Sequence, residues 1–252
     1  MNPINLFLKI IQKEKGTAAF YILALITVFV SIFPIIWLLF TSLMPAKDIY
    51  SWPPLYYPSP PTLTNYIKII ESSPELLLYI WNSIVVASIT TLIILLFGGL
   101  AAYALTRFKF KGQKAIMLGM LAVSMFPHIA ILPAIFIIFR SLGLINSYAS
   151  LITAHTGLFI TMAVWILANY FRSIPLDIED AAKIDGCGPL RLFWSVILPL
   201  SKPGIFATGL IMFIFSWNEF PLSLVLLHKN DMRTAPVGIS LYPGEYSFPW
   251  ET

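Results

Sequence analysis

Between Thr17 and Leu43 the chain runs without one charged residue. Crossing the ~30 Å hydrocarbon core of a bilayer takes about 20 apolar residues in a helix. Inside lipid the backbone must satisfy its own N–H and C=O groups, so such a stretch folds as a helix. Four further runs are similarly apolar, with Glu219 in the last as their one carboxylate: Tyr79–Thr106, Ala115–Phe139, Ala149–Tyr170 and Ile205–Leu227. The expected fold class is therefore all-α, a polytopic membrane protein with five visible transmembrane helices, read as one membrane domain over residues 1–252. Composition agrees: 58% of the residues are hydrophobic and 11% charged, whereas soluble domains carry roughly 25% charged residues.

The segments between and within the runs add detail. No small-residue cleavage site follows the mixed start, and the first apolar run is too long for a signal peptide, so the expectation is an uncleaved N-terminus. Residues 44–79 are rich in Pro, Tyr and Trp, as suits an interfacial loop, with Leu63–Ile70 as a short amphipathic helix. Gly98-Gly99 and Ala101-Ala102 offer the small surface that close helix packing requires. Pro127, His128 and Pro133 fall inside the third run, where a broken ladder is tolerated only beside protein or water. His128 is a candidate for the lining of a pathway, set against the commoner packed and hydrogen-bonded role. His155 is read in the same way. Glu219, in Trp217-Asn218-Glu219 before Pro221, is the single carboxylate inside an apolar run. It faces either the bundle interior or, near the helix end, the headgroups and water.

Several chemistries find no support. The chain has no GxxxxGK[ST], HExxH or GxSxG, and its three histidines are scattered. One cysteine, Cys187, leaves neither an internal disulfide nor a cysteine-rich metal site. The expectation is a non-catalytic subunit that binds no metal. Nothing argues for a nucleic-acid partner.

The longest polar island lies at Ser173–Gly204, SIPLDIEDAAKIDGCGPLRLFWSVILPLSKPG. Ser173 and Pro175 read as a helix start, Gly186 and Gly188 as its stop, Pro189 as a second start, and Pro199 and Pro203 as the end. Two short helices around a glycine turn, lying between spans, form a docking element. Each residue has a plain local reading as well: Gly186 as a C-cap, Ala181 and Ala182 as helix formers, Asp177 and Glu179 as charges suited to a first turn.

The joint spacing says more. Asp180-Ala181-Ala182, three residues, Gly186, nine residues, then Val196-Ile197-Leu198-Pro199 resembles the EAA loop of binding-protein-dependent ABC importers. Asp180 stands for the family's Glu and Val196 for its Ile; Asp185 and Leu198 keep the usual neighbours. Asn82-Ser83, AAYALTRFKFKG and TAPVGISLY resemble the second permease subunit of its maltose and trehalose branch.

The resemblance implies that the first loop helix inserts into a cleft of a separate ATPase. Ala181 and Ala182 would allow close approach, Asp180 and Glu179 would meet donor groups, and Asp185-Gly186 would form the turn. The implied partners are a homodimer of ATP-binding subunits, a second permease subunit, an extracytoplasmic sugar-binding protein and membrane lipid. ATP and Mg would be bound by the ATPase and no cofactor by this chain. The substrate would be a sugar, with Trp217, Asn218, Glu219 and His128 as pathway candidates. The family's sixth span is not visible before the chain stops. With the N-terminus inside, inner segments hold eleven Lys and Arg and outer segments five, which favours a cytoplasmic N-terminus and loop. The loop pattern leaves a permease for a polyamine or phosphate open. An ATPase-independent secondary transporter would rely on Glu219 and His128.

Overall fold

The structure, a computed structural model, describes residues 3–49 and 51–241. Its regular elements among these residues are all helical. The end of the expected outer loop, residues 242–252, lies outside the described residues. The chain divides into two compact units, Met1–Pro74 and Glu75–Thr252.

The first unit is built on α1 (Pro3–Leu43), which continues through Pro34. Its apolar stretch Phe20–Leu43 is long enough to span a bilayer, and none of it is buried within the fold. Lipid is the environment that such a surface matches. Helix α1 ends with orphan carbonyls, as every helix does. The Asn65 amide, on α2 (Thr64–Ser72), donates to Ser42 O at 3.0 Å and to Met44 O at 2.7 Å. This is the amphipathic segment expected from the sequence, one residue later at its start.

The second unit centres on α3 (Glu75–Arg107) and α6 (Tyr148–Arg172), both long and apolar enough to cross a membrane. They meet where side chains are small: a side chain at Gly98 would touch Ile160 and Val164, and Ala102 is fully buried. Phe171, Leu167 and Phe193 fill the core at the end of this pair.

The third apolar run is broken, as its two prolines lead one to expect, but at Pro127 alone. It is not one straight helix but α4 (Gln113–Ser124) and α5 (His128–Ser141), bent by 95° at residues 125–127. Pro127 takes an extended conformation there, ψ 113°, and proline also disfavours helix in the residue before it. Pro133 by contrast sits within α5.

The loop forms α7 (Leu176–Ile184) and α8 (Pro189–Leu200). Helix α8 ends between Pro199 and Pro203, as expected, with Pro199 inside its last turn. A wider π-turn over Phe193–Ile197 precedes Pro199 and accommodates its missing donor and bulky ring. The chain then bends by 82° at Ser201 into α9 (Lys202–Asn218), and Pro203 sits in the first turn of α9, where its lost N–H costs nothing. The fifth run also breaks at its far end: α9 stops before Glu219, and α10 (Pro221–Leu226) follows. Counting each bent pair as one span gives up to five membrane-crossing segments.

Asn82 and Ser83 have a structural task. The Asn82 amide donates to Asp231 O and Arg233 O, both at 2.9 Å, and accepts from the Tyr148 hydroxyl at 2.8 Å. Ser83 Oγ accepts from Ala235 N at 2.8 Å. Together they hold the segment that leads into α11 (Ala235–Ser240) against the starts of α3 and α6.

Candidate coupling and translocation sites

Helix α7 is short and polar, with Asp177 and Glu179 in its first turn and Lys183 in its last, an order that suits the helix dipole. Its end is a Schellman turn: Cys187 N donates to Ala182 O and Gly186 N to Lys183 O, both at 3.0 Å. Gly186 closes this turn at φ +79°, a left-handed backbone that glycine alone adopts without strain. A side chain there would meet no atom within 4 Å, so the residue is needed for its backbone and not for space.

The acidic residues of α7 diverge. Asp180 is exposed and forms a 2.8 Å pair with Lys183, also exposed. The Asp180 carboxylate beside it raises the Lys183 pKa above the ordinary lysine value. Glu179 points the other way. Its side chain is 2% exposed and pairs with Arg107 at the end of α3, so it is turned away from the exposed face on which the sequence reading set it. Ala181, Asp185 and Gly186 are exposed and Ala182 partly so. Leu198 and Pro199 lie elsewhere, on α8, lining an apolar groove of ≈ 760 Å³ between α3 and α9 with Thr91, Lys202 and Gly209.

Sequence reasoning missed two features of this surface. Ile184 is 87% exposed, and Leu190, at the start of α8, is exposed as well. Leu176 and Ile178 on α7 are exposed too, so the loop leaves several aliphatic side chains bare. The signal was visible as an Ile within the acidic run, but its orientation depends on which face Glu179 anchors.

The four pathway candidates are not brought together. Trp217 stacks on Phe213, with ring centroids 5.9 Å apart. Asn218 donates to Ile214 O at 2.9 Å on an exposed surface. Glu219 is held by its own chain: Leu222 N and Ser223 N donate to it at 2.7 and 3.1 Å, and His155 Nε2 lies 3.1 Å away. His128 lines a cleft of ≈ 410 Å³ at the bend between α4 and α5. Phe159, Trp165, Asn169 and Phe215 also line it, from α6 and α9. The Phe159 and Phe215 rings lie 5.8 Å apart, and the Trp165 indole N–H has no acceptor among the described residues. Aromatic faces with a few donors and acceptors suit a ligand that is apolar on one side and hydroxylated on its rim. No group of three or more His, Cys, Asp or Glu able to hold a metal occurs among the described residues.

Bent apolar spans, a polar two-helix loop that leaves them at one end and a lined cleft between them are the architecture of a multi-pass membrane protein. The chain belongs to the family of binding-protein-dependent transport system inner membrane components, which it matches over residues 94–243. It is 40% identical to a sulfoquinovosyl glycerol transport system permease protein of Agrobacterium fabrum over 94% of this chain and 82% of that one. It is 36% identical to a trehalose/maltose transport system permease protein of Thermococcus litoralis, over 90% and 82%. A trehalose transport system permease protein of Mycobacterium tuberculosis is 34% identical over 86% and 78%. The fold resembles a chain in the crystal structure of a bacterial ABC transporter involved in the import of the acidic polysaccharide alginate. The TM-score is 0.77 at 21% identity, over 93% of this chain and 84% of that one.

Proposed function

We propose that this chain is the permease subunit of an ATP-driven importer for a sugar or oligosaccharide, coupled to a separate ATPase through the 173–204 loop. The observation that carries the reading is α7 itself. It is a helix with Asp180, Ala181 and Ile184 exposed and Ala182 partly so, ended by a glycine turn, in the spacing of the EAA pattern. Such a surface fits a cleft on another protein. Closure of a paired ATPase would push on α7 and rock the bent spans between inward- and outward-open states, the general form of alternating access. ATP and Mg would sit on that partner. A second permease subunit would complete the path, and an extracytoplasmic binding protein would deliver the solute. The N-terminus and the loop would lie in the cytoplasm.

Carbohydrate as the solute is supported by two things. The relatives above carry names of sugar and glycoside transporters, and the cleft beside His128 combines Phe159 and Phe215 with the polar groups of Trp165 and Asn169. Ion-driven transport is less well supported, because the Glu219 carboxylate is already bonded to His155 and to the start of α10. The test is reconstitution of the complex, extracted with its partners, into vesicles containing ATP. Uptake of radiolabelled trehalose, maltose or sulfoquinovosyl glycerol, dependent on ATP and on the binding protein, is expected. Uptake of a polyamine or phosphate instead would reassign the substrate. Uptake driven by an ion gradient without ATP would overturn the reading.

A further inference from the structure

Helix α7 has one buried residue, and that residue is a carboxylate: Glu179. Its apolar side chains do not hold it to the spans; Leu176, Ile178 and Ile184 are all exposed. What meets Glu179 is the guanidinium of Arg107, the last residue of α3, through Nε. The same guanidinium donates from Nη2 to Phe171 O at 2.8 Å and to Ile174 O at 3.2 Å, at the end of α6. One side chain therefore joins the ends of two long spans to the docking helix. A planar fork with five donors can do this, whereas an ammonium cannot bridge both sets in fixed geometry. The other charges nearby are engaged or exposed: Lys183 is paired with Asp180, and Lys109 lies in the open. Gln113 donates to Leu105 O, closing the end of α3 beside the pair.

We propose that Arg107 is the positioning residue through which motion of α7 reaches the spans. The inference rests on the coupling role proposed above and adds the element that transmits it. An ion pair this deeply buried is costly to break, because each partner would be left as an uncompensated charge. Helix α7 and the ends of α3 and α6 consequently move as one piece. A push on α7 is delivered to the spans and is not absorbed by the loops at residues 173–175 and 185–188. Without the pair, α7 remains a helix that docks on its ATPase but swings on those two loops.

The test uses the assembled complex in vesicles, with uptake and ATP hydrolysis measured together. Arg107→Met is expected to lower sugar uptake about tenfold at equal membrane level while basal ATP hydrolysis continues, an effect of the size a coupling residue carries. Arg107→Lys is expected to recover little of it. Uptake by Arg107→Met within about twofold of wild type would overturn the proposal. Should Arg107→Met fail to accumulate, Arg107→Cys with Glu179→Cys, in a Cys187→Ser background, removes both buried charges and allows the link to be restored with a short bifunctional thiol reagent. Bridging is expected to restore uptake; equal uptake with and without the bridge would overturn the proposal. Wild-type complex is the control for the underlying function. If it shows no ATP-dependent uptake, the importer reading fails; if it transports and the variants match it, only the role of Arg107 fails.

Discussion

His155 Nε2 lies 3.1 Å from Glu219 Oε2, joining α6 to the break between α9 and α10. The ring is fully buried, and its Nδ1 lies 2.8 Å from Ser216 Oγ. A carboxylate only accepts, so Nε2 donates to Glu219; in the neutral ring Nδ1 then accepts from the Ser216 hydroxyl. The carboxylate in turn satisfies two N–H groups at the start of α10. Glu219 thus serves as cap and as partner to a buried imidazole. Glu219→Ala is expected to destabilise the protein by about 1–3 kcal/mol, the cost of leaving buried hydrogen-bonding groups unpaired. Glu219→Gln, which keeps one acceptor for α10, is expected to lose less. Thermal unfolding in detergent of the two variants and of His155→Ala checks this. Equal melting temperatures for Glu219→Ala and wild type would show that the cluster contributes nothing.

Gly186 separates a backbone effect from a docking effect. Its φ is +79° and the space around it is open. Gly186→Ala therefore costs only the left-handed strain, about 1–2 kcal/mol. Gly186→Asn, which tolerates that region, costs less. Gly186→Trp carries the same strain but sets a large ring on the exposed surface proposed to dock on the ATPase. It is expected to insert at normal levels and to lose uptake; normal transport by Gly186→Trp would remove the loop from the coupling mechanism.

Gly204 on α9 tests close packing. A Cβ there would sit 2.5 Å from carbon atoms of the Tyr170 ring on α6. Gly204→Ala is expected to destabilise by about 1–3 kcal/mol through overpacking. Combining it with Tyr170→Ala should recover part of the loss, a coupling that a double-mutant cycle would read directly. Additive losses would place the strain elsewhere.

Asp180 and Lys183 form an exposed pair, and such pairs contribute little to stability. Asp180→Ala is expected to leave the melting temperature unchanged and yet to lower substrate-stimulated ATP hydrolysis in the complex. The raised Lys183 pKa fixes the direction of the effect on the alkaline side: the pair's small contribution is present at neutral pH and is lost as pH rises past the lysine range. Unfolding curves through the neutral range should show no step from this pair.

Trp165 offers a test of the cleft. Its indole N–H has no acceptor among the described residues, so Trp165→Phe should cost little stability. With a sugar in the cleft it should raise the KM for uptake, and Phe159→Ala should do so more strongly because a stacking face is lost. Unchanged uptake kinetics in both would move the sugar path off this face.

The spans and the loop were legible in the sequence because each rests on a local rule. Uncharged runs must become helices in lipid, and Gly186 must turn a helix of the length that the residues from Pro175 allow. The bend at Pro127 and the continuation of α5 through Pro133 show where local rules divide: the same residue type breaks the chain at one position and sits inside a helix six residues on. Glu179 shows the larger gap. By helical spacing it could pair with Lys183 on its own helix, four residues on. Instead its partner is Arg107, on α3, and Lys183 pairs with Asp180. His155 and Glu219 likewise meet across two helices. Helical periodicity fixes which residues share a face, but it does not say which face turns inward. The sequence alone determined the helices, their apolar lengths and the glycine turn. Only the packing of α3 against α6 and α7 decided that Glu179 is buried and Ile184 bare, because a buried charge is stable only where a distant residue supplies its partner.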